Sequence, residues 1–149
     1  MSRLRTLVVA LLVFAAGAAV AGPDDSIDLI GMDPAQVFAA LGAPREIFTW
    51  RAAEPTEDNI VFFYADFRYV FWFQSRVWQV RFDNRYTGAV LGFSIGMKRA
   101  DVEAGGQGRL QESGGSLFLS LDTGRYPVRV RLAMLDDRVD DIYLYRSDW

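Results

Sequence analysis

A chain of 149 residues with 51% hydrophobic and 14% aromatic content and a formal charge of −3 has apolar surface enough for one ordinary domain or two very small ones. It contains no cysteine and no histidine. These absences exclude a thiol nucleophile, a disulfide, a lipidated cysteine, an imidazole base, histidine-ligated zinc or iron, and any Ser-His-Asp triad.

In chain order, Arg3 and Arg5 precede an uncharged apolar run from Leu7 to Val20, and Ala19-Val20-Ala21 supplies the small residues that a signal peptidase reads. Residues 1–21 are therefore expected to be a signal peptide cleaved after Ala21, because the alanine-rich run is short for the ~20 residues of a membrane span. The mature chain would be exported, periplasmic or extracellular, soluble and without a transmembrane span. Loss of Arg3 and Arg5 leaves 14 of the 16 basic residues against 19 acidic ones, a formal charge of −5. That balance argues against nucleic acid as a partner.

Asp33 then reads as a helix cap, with Pro34 at the first helical position and Gln36 placed to complete a capping box. Val37, Phe38 and Leu41 form the apolar face, and Gly42 with Pro44 ends the helix. Strands are expected at 46–51, 60–64, 67–73 and 77–83, with an acidic loop at 54–59 and a tight turn at Gln74-Ser75. After a linker at 86–92, Lys98 occupies the cap position of a second helix, where its charge opposes the helix dipole, and Gly105-Gly106 end it. This helix is expected to be short or frayed. Strands at 109–112, 117–121, 128–135 and 139–145 complete the chain.

Two internal matches organise these elements. Ile30-Gly31-Met32-Asp33-Pro34-Ala35-Gln36-Val37-Phe38-Ala39 aligns with Ile95-Gly96-Met97-Lys98-Arg99-Ala100-Asp101-Val102-Glu103-Ala104, and Arg76-Val77 aligns with Arg138-Val139. They suggest a first repeat over 22–91 and a second over 92–149. The expected fold class is α+β: two helix-plus-antiparallel-strand repeats forming one sheet with helices on one face.

The signature Gly31, Met32, Val37, Leu41, Gly42 and Pro44, followed by strands and a hairpin closed by Arg-Val, resembles the SmpA/OmlA (BamE-like) fold of small outer-membrane assembly lipoproteins. The tandem arrangement is similar to that of the β-lactamase inhibitor protein. This resemblance implies either a binding module in outer-membrane assembly or maintenance, or a secreted enzyme inhibitor. The mature N-terminus has no cysteine to carry the lipid anchor of the outer-membrane family.

Strand alternation divides the side chains between two faces. Ile60, Phe62, Tyr64, Val70, Trp72, Val80 and Phe82 share the parity that is apolar in both halves, which makes them the expected core. The opposite parity carries Phe63, Phe67, Tyr69, Phe71 and Phe73, with Arg81, Arg131 and Tyr143 beside them; Trp78, aligned with Asp140, also need not be core. Aromatic residues and arginine are enriched among interface hot spots, and a contiguous apolar patch usually marks a contact site. These nine residues are the candidate partner-binding set, for a protein partner in the cell envelope or a second copy of the chain. Burial under a loop or linker is the structural alternative.

No catalytic residue, metal or cofactor is expected. Asp136, Asp137, Asp140 and Asp141 lack the EF-hand spacing, Glu54, Glu57 and Asp58 sit in an open loop, and no lysine follows Gly105-Gly106-Gln107-Gly108 at P-loop spacing. The reading is of a protein that is not an enzyme and works by contact.

Overall fold

The computed structural model describes residues 26–54, 58–106 and 108–148. The expected signal peptide at 1–21 lies outside them, as do Pro55, Thr56 and Glu57 of the acidic loop. The helix α1 (Pro34–Leu41) starts as its residue types dictate: the Asp33 carboxylate accepts from the Gln36 amide at 2.9 Å, and the Gln36 side chain accepts from the Asp33 amide at 3.0 Å. Gly42, with φ of 75°, ends it by donating its amide to the Phe38 carbonyl.

Four strands follow: β1 (Glu46–Trp50), β2 (Asn59–Phe63), β3 (Arg68–Phe73) and β4 (Arg76–Phe82). A small hairpin, β5 (Ala89–Val90) and β6 (Phe93–Ser94), leads to the helix α2 (Arg99–Gly106). The chain then forms β7 (Gln111–Ser113), β8 (Ser116–Asp122), β9 (Pro127–Leu135) and β10 (Arg138–Arg146). Four of the connections are two-residue turns with φ above zero at both positions: Gln74-Ser75, Leu91-Gly92, Gly114-Gly115 and Asp136-Asp137. This geometry matches the right-handed twist of the strands it joins, which fixes the register of each hairpin.

The eight longer strands make one antiparallel sheet in the order β1-β2-β3-β4-β10-β9-β8-β7. Its middle is the β4–β10 pair, with Val80 opposite Leu144 and Phe82 opposite Ile142. One face is covered by residues 26–32, α1, the β5–β6 hairpin and α2, which bring Leu29, Ile30, Val37, Val90, Phe93 and Val102 onto the buried Val70, Phe82, Leu132 and Ile142 of the sheet.

The expected class, α+β built from helix-plus-strand repeats of BamE-like type, is corrected here. The molecule is mostly β: each helix has only eight residues, and both lie on a single continuous sheet. The sequence signals for the helices, a cap and a stop for α1 and a pair of glycines at the end of α2, are real but enclose barely two turns each, so most of the core comes from strands. The residues that match between the halves make equivalent backbone bonds at two places. Gly31 N–H and Met32 C=O bracket Val77 at 2.8 and 2.9 Å, and Gly96 N–H and Met97 C=O bracket Val139 at 2.7 and 2.9 Å.

Three smaller expectations change. Ile60, expected in the core, is 53% exposed: it lies near the start of β2 and lines an open cleft with Pro34, where α1 begins, whereas Phe62 packs on Phe38 further along the helix. The linker at 86–92 is not a bare connection; it turns at Leu91-Gly92 and packs Tyr86 and Val90 on the helix side of the sheet. The helix α2 is as long as α1, and Arg99 steadies its first turn by ion pairs to Asp137 at 2.9 Å and Glu112 at 3.3 Å in place of a capping side chain.

Gly31 shows how tightly the covering layer is held. Its φ is +85°, and a methyl group there would run into the ring of Tyr126. Gly31→Ala is expected to lower stability by about 2–4 kcal/mol, combining left-handed strain with overpacking. Denaturant unfolding measures it, and removing the ring with Tyr126→Ala should make the alanine less costly in a double-mutant cycle. A loss under about 0.5 kcal/mol, the level of an ordinary surface change, would show that residues 26–32 are not pinned.

Candidate functional site

The other face of the sheet carries the candidate residues. Phe63, Tyr69, Arg81, Tyr143, Arg131 and Phe118 lie directly opposite one another on β2, β3, β4, β10, β9 and β8, forming a row across six strands. Rings and guanidinium groups alternate along most of it. The Phe63 and Tyr69 centroids are 4.7 Å apart, Arg81 lies 5.4 Å from Tyr69 and 5.6 Å from Tyr143, and Arg131 lies 5.2 Å from Tyr143. A guanidinium beside an aromatic ring is attracted by the ring quadrupole and still presents N–H groups at its edge.

A second cluster lies toward the β1 edge. Between β3 and β4 the register shifts, Phe71 facing Gln79 and Trp72 facing Val77, so Trp78 is the extra residue of a bulge. The bulge places the Trp78 indole near the Phe71 ring, at 6.4 Å, where its N–H donates to the Asn59 side-chain oxygen at 2.6 Å. Trp50 meets Phe71 edge-on at 6.1 Å. Trp50, Phe71, Phe73, Trp78, Asn59 and Tyr143 help to line an open groove of about 830 Å³ whose walls are mainly apolar. Shallow apolar concavities with a few convergent polar groups are the usual form of a recognition site.

The nine candidate residues therefore share one region but not one environment. Phe63 and Phe71 are buried within the aromatic cluster itself, Phe71 to 5% exposure, while Phe67, Tyr69, Trp78, Arg81, Arg131 and Tyr143 are half-buried. Phe73, at 36%, reaches solvent. Trp50, 49% exposed, was missed because β1 has no counterpart with matching alternation; its signal in the sequence was only an aromatic residue ending an apolar strand. The 86–92 linker, one of the segments that could have covered these rings, lies on the opposite face.

Two ion pairs fix the polar part. Arg81 donates to a single Asp141 oxygen from two nitrogens, at 2.6 and 2.9 Å, and the Tyr143 hydroxyl donates to the same oxygen at 3.0 Å. At the β3 end, Tyr69 donates to Asp83 at 3.0 Å and accepts from Arg85 at 3.1 Å, and Arg85 also pairs with Asp83 while lying 4.3 Å from the Phe67 ring. Phe67 is held there with φ of 66°, a strained value for an aromatic residue.

Burial raises the Tyr69 and Tyr143 hydroxyls above the ordinary tyrosine value, and the bonds to Asp83 and Asp141 raise them further. Burial also works against the Asp83 charge, but the bonds from Arg85 and Tyr69 outweigh it and hold this carboxyl below the ordinary aspartate value. A depressed carboxyl contributes stability that is present above its unfolded pKa and is lost as pH falls through the folded one. Stability is therefore expected to fall on acidification below about pH 4. Asp83→Asn should flatten that acid limb. Urea unfolding between pH 2 and 5 reads the difference, and parallel curves would remove Asp83 from the account.

Three of the carboxylates considered in the sequence have structural partners. Asp58 pairs with Arg51 and accepts from the Ala52 amide, Asp137 pairs with Arg99, and Asp141 with Arg81. No helix among the described residues is long and apolar enough to cross a membrane.

No protein-family model and no curated protein matches this chain. Solved structures do. An extracellular protein containing a SCP domain from Bacillus anthracis superposes with a TM-score of 0.59 at 13% identity, over 99% of this chain and 51% of that one. A cysteine-rich secretory protein from Staphylococcus aureus superposes with a TM-score of 0.50 at 12% identity, over 81% of this chain and 46% of that one. At these identities the likeness is one of fold, and this chain spans about half the length of each neighbour. The resemblance to SmpA/OmlA proteins, and to the tandem arrangement of the β-lactamase inhibitor protein, is corrected accordingly: a mostly-β sheet with SCP-domain and cysteine-rich secretory proteins as neighbours replaces it.

Proposed function

We propose that this chain is an exported protein that acts by contact, binding a protein partner in the cell envelope through the aromatic and arginine-bearing face of its sheet. The observation that carries this reading is the open groove beside Trp50 and Phe73, two exposed rings set against the buried Phe71. An antiparallel sheet with one solvated face usually shows polar residues there, and large exposed apolar areas on a monomer usually mark contact sites. Export has support from the apolar segment after Arg3 and Arg5 and from neighbours described as extracellular and secretory. The roles in outer-membrane assembly and enzyme inhibition rested on the corrected resemblance and are not retained.

The test places a photo-crosslinking residue at Trp50 or Phe73 in cells that make the protein, followed by identification of what is captured. One partner captured from both positions and from neither Arg125 nor Glu103, on other surfaces, supports the reading. Capture of a second copy alone assigns the face to a homodimer, and equal capture from all four positions rejects the face.

A further inference from the structure

Beside the groove, β9 places Arg129 and Arg131 two residues apart on the same sheet face, opposite Tyr145 and Tyr143 of β10. Every other arginine on this face has a carboxylate: Arg81 has Asp141, and Arg85 has Asp83. Among the described residues neither Arg129 nor Arg131 has an ion-pair partner. Arg131 spends its Nε on the Ser116 hydroxyl at 3.1 Å, and Arg129 lies 4.5 Å from the Phe118 ring with its Nε buried and unbonded. Asp141 serves Arg81 and Tyr143, and Asp122, at the end of β8, accepts from the Gly124 amide.

A guanidinium presents a planar fork of terminal N–H groups that fits a carboxylate. The face thus carries two arginines without an ion pair although the chain as a whole is at −3. Local charge opposite in sign to the rest of the molecule selects acidic partners and orients them. We propose that Arg129 and Arg131 form the anion-recognising end of the contact face and take a side-chain carboxylate of the protein partner, next to an apolar residue of the partner seated at the end of the groove lined by Trp78 and Tyr143. The inference rests on the contact reading and adds to it the chemistry of the partner: an acidic residue beside an apolar anchor.

The probes are two synthetic peptides, acetyl-Glu-Phe-Leu-Glu-amide and its Gln-Phe-Leu-Gln counterpart, titrated into the purified protein. Binding is followed by NMR on the Trp50 and Trp78 indole N–H and the Arg129 and Arg131 Nε–H signals. The glutamate peptide is expected to bind about tenfold more tightly, as charge-assisted bonds to arginine do, and to weaken as salt is added. In Arg129→Gln/Arg131→Gln the advantage should vanish, and Arg129→Lys/Arg131→Lys should restore part of it by charge without the fork. Arg125→Gln, on the β8–β9 connection, should change nothing.

Equal affinity of the two peptides, or an advantage that survives in the double glutamine variant, overturns the proposal. If the glutamine peptide still moves the indole signals, the groove reading stands while the inference falls; if neither peptide moves any signal, both fall. Phenyl phosphate displacing the glutamate peptide at lower concentration would assign the arginines to a phosphate and overturn the carboxylate.

Discussion

Phe82→Ala is expected to lower the stability of this protein by about 3–5 kcal/mol, the cost of deleting a fully buried aromatic side chain. Phe82 sits on β4, the central partner of β10, opposite Ile142 and Arg68, and is completely excluded from solvent. Its ring packs at a tilt against Tyr86, centroids 4.6 Å apart, and lies 5.4 Å from the Arg68 guanidinium. Deletion therefore empties space between the sheet and the 86–92 segment and removes the surface against which Tyr86 packs. The sheet cannot close such a gap, because the strand spacing is set by backbone hydrogen bonds. Equilibrium unfolding in urea measures the loss. A change below about 1 kcal/mol would mean that the β4–β10 seam is not the centre of the core.

Trp50→Ala/Phe73→Ala should leave stability within about 1 kcal/mol of the parent, while Phe71→Ala costs about 3 kcal/mol. All three rings line the same groove, so the contrast separates what the rings do for the fold from what they offer to a partner. Phe71 is enclosed by Trp50 and Trp78 and has little surface left to give, whereas Trp50 and Phe73 keep theirs in water. Binding of the partner captured through this face should weaken at least about thirtyfold in the double variant, the size of a hot-spot loss. Thermal unfolding and a titration with that partner read the two quantities separately. Unchanged affinity removes the groove from the interface, and a large loss of stability turns Trp50 and Phe73 into structural residues.

The strands were legible because alternation and turn pairs are local. Gln74-Ser75 and Asp136-Asp137 interrupt apolar alternation at the points where the hairpins turn, and the strands on either side of each end within one residue of where the sequence puts them. The capping box at Asp33 and Gln36 is equally local. Class was harder to read, because a cap and a stop announce that a helix exists without stating its share of the core. Ile60 illustrates the cost: its parity is that of the core, yet nothing in β2 says where α1 lies above it.

The candidate face was legible as a parity and not as an environment. Phe71 and Phe73 are alike in sequence, two residues apart on one strand, and the structure buries the first while exposing the second. Trp50, absent from the sequence reading, enters the groove because β1 pairs with β2 in the register that sets Phe48 opposite Val61 and Trp50 opposite Asn59. Arg129 was overlooked for a similar reason. Its lack of an acidic partner is a property of its neighbours on β8 and β10.

By itself the sequence determined the chemistry this protein lacks, the positions of its main strands, and which parity of those strands bears aromatic rings and arginines. These depend on residue type and on near-neighbour spacing. The tertiary structure alone decided that strands rather than helices make most of the fold, that the bulge at Trp78 turns an indole toward Asn59, and that Arg81 and Arg85 are ion-paired while Arg129 and Arg131 are not. Each of those depends on which strand lies beside which, and strand order is fixed by long-range packing that no local pattern encodes.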